Sequence, residues 1–155
     1  MPTSPFVFDR PRLARLRARA VAGFSGADWL LDAAQERLLE RIGDVKRRFA
    51  RALVLGAWDG RLARALTASG LVERVVASDF APGFARRSPV PAVVADEELL
   101  PFAPASFDLI LSPLVLHWVN DLPGTLAQAR RVLAPDGLLL AALLGGETLY
   151  ELRRA

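Results

Sequence analysis

The chain has 155 residues, 52% of them apolar and 24% charged, with a formal net charge of +3. That length holds a single domain with a core of its own, and no uncharged apolar run approaches the roughly 20 residues of a membrane span. The absence of cysteine removes disulfides, thiolate catalysis and Cys-ligated metals, and one histidine cannot furnish a two-His site, so no metal is expected.

The first fifty residues read as helices. Pro11 suits a first helical turn, and Leu13, Leu16 and Ala20 share one side of a helix studded with Arg12, Arg15, Arg17 and Arg19. Gly23 to Gly26 breaks it. Ser25 with Asp28 three residues on resembles a capping box, and Leu30, Ala34, Leu38 and Ile42 then recur at helical spacing. Residues 1–51 hold eleven Lys+Arg against six Asp+Glu, while the remainder holds nine against eleven. Solvated helix faces account for this asymmetry, as does a basic surface that steers an acidic partner; charge alone does not choose. The expected organisation is an N-terminal helical cap over 1–50 and a core over 51–155.

After Arg51 the pattern alternates. Strands are expected at Ala52–Leu55, Arg74–Ser78, Ala92–Ala95, Phe107–Ser112 and Leu138–Leu144, with helices at Arg61–Ser69 and Pro123–Leu133. Asp121 or Leu122 lies near the N-cap of the last helix, and Pro135-Asp136-Gly137 ends it. Between the second and third strands the prolines leave room for a short helix around Phe84–Arg87. Continuous apolar strands alternating with helices imply a parallel sheet covered on both faces.

Ligands of such sheets bind at the carboxyl ends of the strands. Gly56–Gly60, Asp79–Phe80, Asp96–Glu97 and Ser112–Trp118 stand there. Asp79 follows Gly60 by 19 residues, close to the spacing at which nucleotide-binding βαβ units place the carboxylate that accepts from ribose hydroxyls. A phosphate-binding loop is excluded because no Lys-Ser or Lys-Thr follows the glycines, and G-x-G-x-x-G fails at Ala57-Trp58.

Further along stand Asp96-Glu97, Leu100-Pro101-Phe102, Phe107-Asp108 and Arg131-Val132-Leu133-Ala134-Pro135-Asp136-Gly137. In this order, over about residues 50–145, they resemble class I S-adenosylmethionine-dependent methyltransferases. Two subgroups are similar: the biotin-synthesis enzymes that methylate malonyl-acyl carrier protein, and the complex I assembly factors of methyltransferase fold, which include an arginine hydroxylase. Phe8-Asp9-Arg10, the Arg-rich helix, Leu116-His117-Trp118-Val119-Asn120-Asp121-Leu122 and Leu144-Gly145-Gly146-Glu147-Thr148-Leu149 lean toward the second.

The resemblance implies a three-layer Rossmann-like α/β fold with a mainly parallel sheet. The family's sheet has seven strands in the order 3-2-1-4-5-7-6, and here it is expected to stop after about five. S-adenosylmethionine is the implied cofactor. Gly56 and Gly60 would let backbone approach its methionine end, and Asp79 would hold the ribose hydroxyls. Asp96 would accept from the adenine amino group with Glu97 beside it, and Phe80 and Leu100 would flank the ring. His117, just past the fourth strand, is the candidate catalytic base, set against a packing role beside Trp118; Asp108 reads as structural, and the role of Tyr150 is open.

The loop departs from the family pattern. Val54 stands where a carboxylate normally helps hold the cofactor's amino group, a loss of ~1.5–3 kcal/mol or roughly ten- to a hundredfold in affinity. Trp58 replaces the middle glycine, where a bulky residue is strained or reshapes the loop, and Asp59 would repel the cofactor's carboxylate. The expected function is methyl transfer to a protein or carrier-bound acyl group. The alternatives are an arginine-hydroxylase-type assembly factor and a non-catalytic remnant that binds a partner. An acidic protein or acyl carrier protein is expected at the basic helix, with no membrane or nucleic acid partner, a cytoplasmic location, and a homodimer through the fifth strand.

Overall fold

Apolar runs at Phe49–Leu55 (β1) and Phe107–Pro113 (β4) form the middle of a five-stranded sheet in the computed structural model, which describes residues 6–26, 28–146, 148, 150 and 154. Val72–Asp79 (β2) and Ala92–Val94 (β3) continue it on one side, and Leu133–Ala142 (β5) on the other, in the order β3-β2-β1-β4-β5. All four pairings are parallel. Leu53, Val54, Leu109, Ile110 and Leu111 are fully buried, as central strands of a sheet covered on both faces require.

The helices are α1 (Arg10–Gly23), α2 (Trp29–Asp44), α3 (Arg61–Ser69), α4 (Pro82–Arg87) and α5 (Leu122–Val132). Alternation along β1 divides the core. Ala52 and Val54 face a cluster with Leu38 and Ile42 of α2 and Leu62 and Leu66 of α3; Leu53 and Leu55 face another with Ala129 and Val132 of α5. This is the three-layer α/β arrangement expected. No helix among the described residues is long and apolar enough to cross a membrane.

Several local expectations give way. β1 begins at Phe49, three residues early, because its N–H already pairs with the Leu71 carbonyl beside β2. β5 runs over Leu133–Ala142 instead of Leu138–Leu144, so Pro135-Asp136-Gly137 lies inside a strand. Pairing with β4 starts at Leu133, and a register shift absorbs the turn residues, with Asp136 at φ +62°. Ser25 and Asp28 form no capping box: Ser25 sits in a 3-10 turn, and the Asp28 carboxylate is taken by Arg61.

The largest departure concerns α1. Leu16 is half exposed and Ala20 exposed, whereas Arg17 and Val21 are buried. In α2 the inward face keeps Ala34, Leu38 and Ile42 as expected, and only at its first turn does Leu31 take the place of Leu30. α1 turns Arg10 and Arg17 inward because the surface beneath it is acidic.

Candidate functional site

The chain leaves β1 through a loop of positive backbone angles, with Gly56 at φ +102°, Trp58 at +46° and Gly60 at +78°. The Gly56 and Ala57 N–H groups both donate to the Ser78 carbonyl at 2.9 Å. A Cβ on Gly56 would stand 2.6 Å from Val115, and one on Gly60 2.4 Å from Pro89, so both positions require glycine. Trp58 carries the strain anticipated for it, about 1–2 kcal/mol for a non-glycine left-handed residue. Its neighbours offset that cost. The indole N–H donates to the Pro113 carbonyl at 2.8 Å, and the ring stacks on Phe24 at 5.4 Å and tilts against Phe84 at 5.6 Å. Asp59 is tied to Arg61, whose guanidinium is shared with Asp28 and Asp32, so three carboxylates draw on one cation.

At the end of β2 the Asp79 side chain is buried, and three donors make four contacts with it. Arg17 Nη2 lies 3.0 and 2.9 Å from its two oxygens, the Ala81 N–H 2.8 Å from one, and the Trp58 N–H 3.1 Å from the other. Burial pushes the Asp79 carboxyl above its ordinary value, against the opposing pull of Arg17 and the backbone N–H groups. After β3, Glu97 is also buried and accepts from Arg10 at 2.6 Å and from Arg17 Nη1 at 3.4 Å. Asp96 pairs with Arg10 and caps the Glu98 N–H at 2.9 Å. The Arg10 guanidinium rests 4.3 Å above the Phe80 ring, and that of Arg17 lies 4.2 Å above Trp58. Gly56–Gly60, Asp79, Phe80, Asp96 and Glu97 therefore surround one place, and two arginines of α1 stand in it.

Leu100 and His117 are placed differently. Leu100 packs into the second core cluster, and its carbonyl accepts from Arg131 at 2.8 Å. His117 lies half-buried in a 3-10 turn, Leu116–Trp118, with its ring 5.3 Å from Trp118 and Nδ1 without a hydrogen-bond partner among the described residues. Desolvation lowers its pKa, favouring the neutral imidazole. The backbone beside it reaches the acidic cluster, since the Trp118 carbonyl accepts from Arg10 at 3.2 Å. Asp108 accepts the N–H groups of Ala50 and Arg51 at 2.8 Å each and ties β4 to the start of β1. Tyr150 is exposed beside Arg154, while Glu147 and Leu149 of the motif around them lie outside the described residues.

Sequence reasoning missed the roles of Arg10 and Arg17. The signal was their seven-residue spacing, which is two helical turns and puts both on one face.

Residues 53–141, more than half of the chain, match the family described as methyltransferase domain. Among curated proteins the chain is 43% identical over 154 residues to arginine-hydroxylase NDUFAF5, mitochondrial, of Danio rerio, covering 95% of this chain and 48% of that one. It is 36% identical to the malonyl-[acyl-carrier protein] O-methyltransferase of Methylovorus, covering 100% of this chain and 57% of that one. The chain thus spans about half the length of the curated relatives it matches. In fold it resembles the Haloferax volcanii complex of the Trm112 methyltransferase activator with a methyltransferase, at TM-score 0.66 and 22% identity over 83% of this chain and 57% of that one. The family match spans more than half of the chain and the five-stranded parallel sheet accords with the likeness in fold, so the protein belongs to the methyltransferase domain family, in its class I fold, with arginine-hydroxylase NDUFAF5 among the proteins it resembles.

Proposed function

We propose that the chain binds S-adenosylmethionine at the carboxyl edge of β1, β2 and β3 and takes part in methyl transfer to a protein or carrier-bound acyl group. One observation carries this reading: a buried Asp79, its two backbone donors and the Asp96-Glu97 pair converge beside a loop that only glycine can build at Gly56 and Gly60.

The residues fit the nucleoside half of the cofactor. Asp79 offers two acceptor oxygens suited to a pair of ribose hydroxyls, Asp96 and Glu97 offer acceptors for an adenine amino group, and Phe80 offers a ring face. They fit the amino-acid half less well. Val54 is fully buried in the first core cluster, and the Trp58 ring fills space beside Phe24 and Phe84. Bound S-adenosylmethionine supplies a methyl group on a sulfonium that is already a good leaving group. The chain's part is then to align the acceptor and exclude water. His117, kept neutral by burial, has a lone pair for an acceptor that must lose a proton. Over the core that begins with β1, the helices α1 and α2 serve as a helical cap. The exposed Arg12, Arg15 and Arg19 give its outer side a basic surface for an acidic carrier or protein.

A second reading has its own support. The same carboxylates and rings already hold two guanidinium groups, so this chemistry also suits an arginine side chain of a partner protein, in keeping with the arginine-hydroxylase relatives.

Calorimetric titration with S-adenosylmethionine and S-adenosylhomocysteine tests the first reading. Micromolar binding that is lost in Asp79→Asn supports it, and absence of binding at millimolar ligand rejects it. Asn is preferred to Ala because Ala would strand the Arg17, Trp58 and Ala81 donors in a buried space.

A further inference from the structure

The acceptors assigned to the nucleoside are already in use. Arg17 lies within 3.0 Å of both Asp79 oxygens, whose remaining capacity goes to the Trp58 and Ala81 N–H groups. Arg10 holds Asp96 and Glu97 and covers the Phe80 ring. These side chains are not at the rim: Arg17 is 6% exposed and lies over Trp58. A ribose needs the same lone pairs and an adenine the same ring face, and two occupants cannot share them.

Apart from the two arginines, α1 is held near its ends: Val21 joins Ala81 and Phe84 in a small cluster and its carbonyl accepts from Arg87, while Phe8, just before the helix, exchanges hydrogen bonds with Asn120 and packs on Trp118. The outer face makes no such contacts among the described residues, with Arg12, Arg15, Leu16, Arg19 and Ala20 exposed. Gly83 lets Val21 approach closely, since a Cβ there would come within 2.9 Å of it. Beyond α1 the chain passes through Gly23 and the 3-10 turn Phe24–Gly26 before α2 begins, a short glycine-flanked segment able to absorb a change of direction.

We infer that α1 is an intramolecular occupant of the nucleoside site, with Arg17 standing in for the ribose hydroxyls and Arg10 for the adenine, so that the cofactor and α1 bind in competition. The inference rests on the nucleoside reading given above and adds its regulation. Whatever draws α1 outward opens the site. An acidic partner that engages Arg12, Arg15 and Arg19 is one such influence, because those residues leave with the helix. Cofactor binding and partner binding then support each other through the same open state. If the closed arrangement holds at least nine-tenths of the free protein, the apparent affinity is reduced about tenfold or more relative to the open state.

Titration of S-adenosylhomocysteine into wild type and an Arg10→Gln, Arg17→Gln double variant reads the competition. The variant is expected to bind at least about tenfold more tightly. The variant also loses buried ion pairs, so a second measurement uses wild type alone: hydrogen exchange across α1 should accelerate when S-adenosylhomocysteine saturates the protein. Equal or weaker binding by the variant, with α1 amides exchanging more slowly in the complex, would show that α1 closes over the ligand. That result overturns the inference while the nucleoside site stands. Absence of binding to both proteins at millimolar ligand would remove the site and the competition together.

Discussion

Removing Arg17 would leave Asp79 buried without the cation that pairs with it, and Glu97 with Arg10. Breaking one side of a buried ion pair typically costs about 3–5 kcal/mol, because the partner's desolvation is no longer compensated. Arg17→Met should therefore destabilise the chain by an amount in that range, and adding Asp79→Asn should recover most of it. The sign with pH follows from burial. Asp79 already titrates above its ordinary value, and without Arg17 desolvation acts on it with less opposition. A carboxyl raised in the folded state contributes stability that is fully present below its unfolded pKa and is lost as pH rises through the folded value. The Arg17→Met deficit should accordingly be smaller at about pH 4 than at about pH 7 in denaturant titrations; equal deficits would mean that Asp79 does not carry it. Trp58 offers a different test at the same scale. Trp58→Gly relieves the left-handed strain and clears the ring from the loop, so it should tighten S-adenosylhomocysteine binding while lowering the melting temperature through the lost contacts with Phe24 and Phe84. An unchanged affinity would mean that the ring does not obstruct the ligand. Val54→Asp is a poor companion to it, because Val54 is fully buried and an ionised carboxylate there costs several kcal/mol.

Among the elements, α3 needed little beyond its own sequence. Its span Arg61–Ser69 agrees with the expectation because Gly60 and Gly70, both left-handed, bracket it. α5 was nearly as legible, with Asp121 accepting the Gly124 N–H as its N-cap and Pro123 in the first turn. α1 was not. Its leucines marked one face in the sequence, yet the buried face is that of Arg10, Arg17 and Val21. Helix periodicity reports which residues share a side, but the side that turns inward depends on what lies beneath. Here it is the carboxylates of Asp79 at the end of β2 and of Asp96 and Glu97 after β3, more than sixty residues from the arginines they meet. β5 shows the same limit, since Pro135-Asp136-Gly137 is a turn signal in isolation and a strand irregularity once β4 supplies hydrogen-bond partners.

For the whole molecule the outer edge of β5 is the exposed liability. It is the end strand of the sheet among the described residues, and Leu138 to Ala142 carry no charge and no proline. The 155-residue chain is therefore expected to self-associate, most simply as a two-fold dimer through this edge. Size exclusion with light scattering checks it: a monomer at tens of micromolar would reject the dimer. Ala141→Lys should shift the equilibrium toward monomer if the edge is the contact, with an unchanged melting profile as the control for the packing of Ala141 on the second core cluster.

Sequence by itself determined the alternation of apolar strands and helices, the glycine positions of the loop and the acidic strand ends. Each is a local property: hydrophobic periodicity, turn chemistry, and residues at the carboxyl termini of strands, where a parallel sheet always presents them. The strain at Trp58 was legible for the same reason, since only backbone sterics are involved. The tertiary structure decided what fills the site. A charged helix face looks the same in sequence whether it meets water or a buried carboxylate. Only the folded chain brings Arg10 and Arg17 against Asp79, Asp96 and Glu97, because the pairing is won by desolvated charges that must find each other across the fold.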